Sequence, residues 1–436
     1  MDININIINI VTLVKMAVNP SLVKKAWQIH KVLSENKEYK LKNFIGSIHN
    51  AFKNERILQH QNTFVISSFI PPINTKAFNS LFDGIPGSGG NVFENLAKGK
   101  RKFPVWMNID VTSRYPNNRD SNDGNGSFEG QKNLFKDMEK EILISLINEI
   151  QDMGVGIVGL TGGEPLLRDD LEQIIEKIDD RSVSYVYSTG YGLTSQRARD
   201  LKSAGLYGTV IDIQSMSESE HNEIMGFNGA YHNALNAIEN SKKAELYTVS
   251  RTFCSKKLLK EGNIREFIKF LGESGVDEVR LMEPKPFGKS GIINREELLT
   301  DDERRELIEL HILCNKDASL PKVSVCSYFE SQGMFGCGAA GYYSFIDGHG
   351  NLYPCDYIPF NFGNVFETPI KALWKKMYRA FEEPIGHCCS QIYFNQMEDG
   401  EFQQYPQRVK TLPENCKICT GQVAPGFYKI LNGEKI

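Results

Sequence analysis

Cysteine is the residue type in this chain best suited to chemistry, and its placement is uneven. None lies in the first 253 residues, and then come Cys254, Cys314, Cys326, Cys337, Cys355, Cys388, Cys389, Cys416 and Cys419. An odd count with one C-x2-C pair, Cys416 and Cys419, suits metal or cluster ligation better than a disulfide framework, because soft thiolates select iron–sulfur clusters or zinc. A second constellation is Thr161-Gly162-Gly163-Glu164-Pro165, where a β-rich run gives way to a helical pattern. Two glycines there let a ligand approach the backbone closely, and Glu164 sets a carboxylate beside it, although an ordinary strand-to-helix turn has the same composition. Arg251 and Glu283 close two further β-rich runs and are candidates for facing the same mouth. The stretch from Asp120 to Gly126 has the oxygen-rich texture of a calcium loop, but the best alignment sets Lys132 where the ligating Glu must stand, so a solvated loop is expected. His221, His232, His311 and His349 show no zinc spacing, and no nucleophile-elbow motif supports a serine hydrolase.

These residues need elements to bring them together. A chain of 436 residues, 41% hydrophobic, is long enough to bury more than one core. Its balance of 50 basic against 54 acidic residues leaves a charge of -4, which gives no footprint for a polyanion and argues against nucleic acid as the principal partner. The apolar N-terminus is interrupted by Asn4, Asn6 and Asn9, with Asp2 where a basic flank would stand, so neither a secretory signal nor a membrane span is expected and cytoplasm is the working compartment. Six β-rich runs at 106–111, 155–160, 183–188, 208–213, 246–251 and 277–282 alternate with helical patterns, the sequence form of repeated βα units and a parallel sheet. The clearest helix precedes the second run, with Met138, Ile142, Leu146 and Ile150 recurring every fourth residue and Gly154 suited to its left-handed cap. After about 290 the βα rhythm is expected to stop. A helix at 301–315 then leads to a hairpin, YYSFIDGHGNLYPC, and a further helix follows at about 369–381. The expected division is a helical extension over 1–103, a βα body over 104–295 and a small cysteine-bearing α+β domain over 296–436.

At the GGEP motif the sequence resembles the radical S-adenosylmethionine (SAM) superfamily. STGYGL at 188–193 and VIDIQSMSESEHNEIMGFNGAYHNALNAI at 210–238 strengthen the resemblance, which spans about 104 to 290. It implies an α/β fold, a partial (β/α)6 barrel, with SAM bound by Gly162, Gly163, Glu164, Pro165, Ser188 and Arg251. A second resemblance is to the SPASM or twitch auxiliary-cluster domain. Cys337, twelve residues to Gly350 and four more to Cys355 fit its opening pattern, and NFGNVFETPIKALWKKM at 361–377 is similar to the segment that follows. This implies one auxiliary 4Fe–4S cluster on Cys337, Cys355, Cys416 and Cys419, with Cys388 or Cys389 as an alternative member, and a peptide or small-molecule substrate. The chain departs from the superfamily at C-x3-C-x2-C, the motif for the SAM cluster. Alignment sets Tyr115, Arg119 and Asn122 at those three positions. A guanidinium stays protonated and an amide is a poor cluster ligand, which argues against reductive cleavage of SAM and leaves its binding weak or lost. An enzyme of this type, a silent relative that binds SAM, a peptide or a partner, and a parent whose cysteines were replaced all remain open.

Overall fold

The computed structural model describes residues 9–20, 22–24, 27, 41–87, 91–116, 136–260, 263–288, 291–292, 295–381, 386–396 and 424–434. A first hairpin, β1 (Leu58–His60) and β2 (Thr63–Val65), precedes six strands that follow the expected runs. They are β3 (Trp106–Thr112), β4 (Ile157–Gly162), β5 (Val183–Ser188), β6 (Gly208–Asp212), β7 (Tyr247–Phe253) and β8 (Glu278–Met282). They pair in sequence order and in parallel, as a βα repeat requires. Period-two alternation sorts their side chains onto two faces. Met107, Ile109, Val158, Leu160, Val186, Ile211, Val279 and Leu281 join the core made with the helices, whereas Ile157, Tyr185, Tyr187, Val210, Tyr247 and Val249 form a separate cluster on the inner face. Among the described residues no helix is long and apolar enough to cross a membrane.

Two expectations need correction. The helix Lys140–Met153 does end at Gly154 in the left-handed region (φ 106), where a Cβ would strike the Phe103 ring. Its buried stripe, however, is Leu143, Leu146, Ile147 and Ile150, while Ile142 is 45% exposed. A strict four-residue repeat drifts off a helix that turns every 3.6 residues, so the packed face follows the mixed three-and-four spacing. The βα rhythm also runs past 290. After the small pair β9 (Phe287–Gly288) and β10 (Gly291–Ile292), the helix Asp301–Asn315 delivers β11 (Lys322–Val325), which lies parallel to β8. Thr300 caps that helix in a complete capping box with Glu303.

The expected hairpin forms as β12 (Tyr343–Ile346) and β13 (Leu352–Tyr353), turning at Gly350 with φ 84. Its first arm does not stand apart, because β12 pairs in parallel with β3, Tyr343 opposite Trp106 and Ile346 opposite Ile109. The sheet order is therefore β11-β8-β7-β6-β5-β4-β3-β12-β13. The N-terminal segment is likewise more than helices. After β2 it crosses the inner face at the amino ends of the strands, where Glu278 accepts hydrogen bonds from Ser68 N (2.9 Å), Ser68 Oγ (2.7 Å) and Tyr247 OH (2.8 Å). Arg280 donates to Ser68 Oγ (2.7 Å) and Tyr187 OH (2.8 Å) beneath the Phe69 ring. Glu55, fully buried, pairs with Lys322 (2.7 Å) and His311 (2.8 Å), which ties the extension to β11 and its helix. Burial alone would raise its carboxyl, but Lys322 and His311 hold it below the ordinary range.

Candidate functional site

At the carboxyl ends of β4 and β5 the structure gathers Gly162, Gly163, Glu164, Pro165 and Ser188. Gly162 is left-handed (φ 127), and a Cβ on Gly163 would meet the Arg114 carbonyl oxygen at 2.1 Å. What the glycines admit here is the chain's own loop after β3, since Gly163 N donates to Thr112 O and Glu164 N to Arg114 O, both at 2.7 Å. Glu164 is fully buried and accepts from Ser188 Oγ (2.8 Å), Thr189 N (2.8 Å), Thr189 Oγ1 (2.6 Å) and Leu166 N (3.1 Å). Loss of water pushes its carboxyl up to about 7 despite those donors. Pro165 then opens a short 3-10 turn over Pro165–Leu167. Tyr115, in the same loop after β3, is half-buried, whereas Arg119 and Asn122 lie outside the described residues.

Arg251 is not part of this group. On β7 it faces Asp212 of β6 in register and makes a two-pronged ion pair, 2.5 and 2.7 Å, with its guanidinium over the Tyr187 ring. The inner face and the cysteine region share one cavity of about 780 Å3, lined by Tyr187, Arg251 and Arg280 on one side and by Cys326, Cys337, Cys355 and Cys388 on the other.

None of the seven described cysteines forms a disulfide. Cys337 lies within hydrogen-bonding reach of both Cys388 and Cys389, and those contacts draw its thiol well below the ordinary range. Cys355 is brought alongside by the hairpin, and burial pushes its thiol up. Ala339, Ile358, Phe360 and Cys389 pack around them, together with Phe381, Ile392 and Tyr393. Soft thiols without disulfide partners suit an iron–sulfur cluster. Among the described residues they do not by themselves form a closed metal site, and Cys416 and Cys419 fall outside those residues. Residues 1–253 contain no cysteine, so the donor set at Tyr115, Arg119 and Asn122 does not fit a second cluster.

Glu283 is enclosed by the protein rather than open to solvent. It is 1% exposed and accepts from Arg304 Nε (2.9 Å), Ser327 Oγ (2.7 Å), Gln391 Nε2 (3.0 Å) and, more distantly, Lys285 Nζ (3.3 Å). Burial opposes ionisation, but Lys285 and Arg304 outweigh it and hold the carboxyl at about 2. Sequence reasoning passed over Lys285, Glu330 and Asp356. Lys285 is 3% exposed and bonds Glu330 at 3.0 Å, and Asp356, next to Cys355, accepts from the Tyr343 hydroxyl. A lysine two residues after a strand-end glutamate, in Glu283-Pro284-Lys285, was the one local signal available for this network.

Comparison with known proteins agrees with this arrangement. Residues 119–271 match the radical SAM superfamily and residues 337–420 the SPASM iron–sulfur cluster-binding domain. An AdoMet-dependent heme synthase of Methanosarcina barkeri is 25% identical over 263 residues, 55% of this chain and 74% of that protein. A probable GTP 3′,8-cyclase of Sulfolobus acidocaldarius is 35% identical over 147 residues, but only 33% of this chain and 46% of that protein are covered. Streptococcus suis SuiB bound to its precursor peptide SuiA superimposes with a TM-score of 0.54 at 13% identity, covering 76% of this chain and 79% of SuiB. The anSMEcpe protein with bound AdoMet and Cp18Cys peptide gives 0.50 at 15% identity, covering 68% and 84%. At these identities the likeness to the solved structures concerns the fold alone. With its parallel barrel sheet, its GGEP strand end and its C-terminal cysteines, the chain belongs to the radical SAM superfamily and carries a C-terminal SPASM iron–sulfur domain.

Proposed function

We propose that this protein is a SPASM- or twitch-type member that holds one 4Fe–4S cluster at its C-terminal cysteines and receives a peptide or small molecule in the cavity beside them. Cys337, Cys355, Cys416 and Cys419 are the ligands of this reading, with Cys388 or Cys389 as an alternative member. When bound, such a cluster supplies one-electron chemistry or an iron that polarises a ligand. The chain's own part is to hold thiolates in a partly buried pocket, to position the strand ends with Glu164, and to face the cavity with Arg251, which Asp212 holds in place. Gly162, Gly163, Glu164, Pro165 and Ser188 are the SAM-binding residues of this reading, and Arg251 lines the neighbouring cavity. Peptides are carried by SuiB and anSMEcpe in their structures, which supports a peptide substrate here. The observation that carries the reading is the gathering of Cys337, Cys355, Cys388 and Cys389 in one partly buried nest.

A second reading is favoured by one fact, the lack of any cysteine before residue 254. On it the chain is a relative without radical chemistry, binding SAM, a peptide or a partner protein. Anaerobic reconstitution with iron and sulfide counting tests the cluster assignment. About four irons per chain are expected, matching one cluster. Twice that number would overturn the one-cluster reading, and Cys355→Ala with Cys419→Ala should abolish the signal if the ligands are correctly named.

A further inference from the structure

We propose that Lys285 is the buried counter-ion of the C-terminal cluster and a positioning residue that sets its reduction potential. The inference rests on the proposed cluster and deepens it. Lys285 is 3% exposed and leaves the end of β8 toward the same cavity that Cys326, Cys337, Cys355 and Cys388 line. Its ammonium bonds Glu330 at 3.0 Å and Glu283 at 3.3 Å, and Cys388 and Cys326 lie within its electrostatic reach. Glu283 is already served by Arg304 at 2.5 Å and by the Ser327 hydroxyl. The Lys285 charge is therefore shared among Glu283, Glu330 and the thiols of Cys388 and Cys326. Gln391, two residues after Cys389, bonds Glu283 at 3.0 Å, so the strand end and the cysteine turn are held as one unit.

The physical consequence follows from charge. A cluster on four thiolates is an anion, and taking up an electron makes it more negative. A fixed cation in a water-poor wall stabilises the reduced form more than the oxidised one and raises the potential. Glu330, on the other side of the same ammonium, must act in the opposite sense. A buried ion pair remote from the cluster would show neither effect.

The experiment is a redox titration of the reconstituted full-length protein at mildly alkaline pH, read by electron paramagnetic resonance, with iron counted in every sample. Lys285→Met should shift the midpoint to more negative potential and Lys285→Arg should leave it near that of the parent. Glu330→Gln should shift it the other way, and Lys285→Met with Glu330→Gln should fall between. Unshifted midpoints at full iron content, or shifts of the same sign in both single variants, would overturn the role of Lys285. If Lys285→Met does not fold, Glu330→Gln still decides by the sign of its shift. Absence of iron from the parent protein would instead sink the cluster assignment, so the two failures are distinct.

Discussion

Glu164 is a carboxylate cut off from water whose four donors do not fully replace its hydration. Its folded-state value of about 7 lies above the ordinary 4.5, so between those limits the folded protein holds a proton that the unfolded chain has released. The contribution of Glu164 to stability should therefore fall as pH rises through that window, by about 3 kcal/mol in all, and be flat on either side. Glu164→Gln is expected to remove the slope. Urea titrations of both proteins across the window check this, and parallel curves would show that the carboxyl does not titrate there. Tyr115, Arg119 and Asn122 pose the other residue-scale question. Under dithionite the unmodified chain should form no 5′-deoxyadenosine above a no-protein control, because no thiolate is available at those positions to bring iron against SAM. Changing all three to Cys should load a second cluster. Recovery of cleavage would mark a parent altered at these positions, failure with a loaded cluster would mark a silent relative, and deoxyadenosine from the unmodified chain would refute the argument.

At the scale of elements, the extension is bolted to the sheet by charges as well as by packing. Glu55, Lys322 and His311 are all fully buried, and the pairs join the segment before β1 to β11 and to the helix Asp301–Asn315. Removing one member leaves another charged and dry, which costs more than the pair itself contributes. Glu55→Gln should therefore destabilise the protein by about 3–5 kcal/mol, and adding Lys322→Met should recover part of the loss. Chemical denaturation of the single and double variants measures this. Equal losses in both would mean that the site is held by shape alone.

Across the whole molecule, what could be read in advance was what repeats. Runs such as Val183–Ser188 and Tyr247–Phe253 are β-branched or aromatic and bounded by helical patterns, so the six central strands were legible. β11 was not, because four residues, Lys322–Val325, carry too little periodicity and begin with a charge whose partner, Glu55, is 267 positions away. The turn at Gly350 was legible from local chemistry, yet the pairing of β12 with β3 depends on a distant edge and leaves no local trace. In the candidate site, Glu164 and the cysteines stood out by type and motif. Lys285 did not, since a lysine in sequence looks like any surface cation until the fold encloses it.

The join between β12 and β3 also bears on how such a protein can be cut or inherited. Both outer neighbours of the central strands come from beyond residue 295, β11 beside β8 and β12 beside β3. A gene shortened at that point would encode a sheet open on two sides, with the unpaired amides and carbonyls of Trp106–Ile109 and Glu278–Leu281 offered to other chains. The cysteine-bearing part thus serves as a selvage for the barrel. Loss of its metal chemistry would still leave a reason to retain the polypeptide, and a relative could give up catalysis without being free to give up the domain.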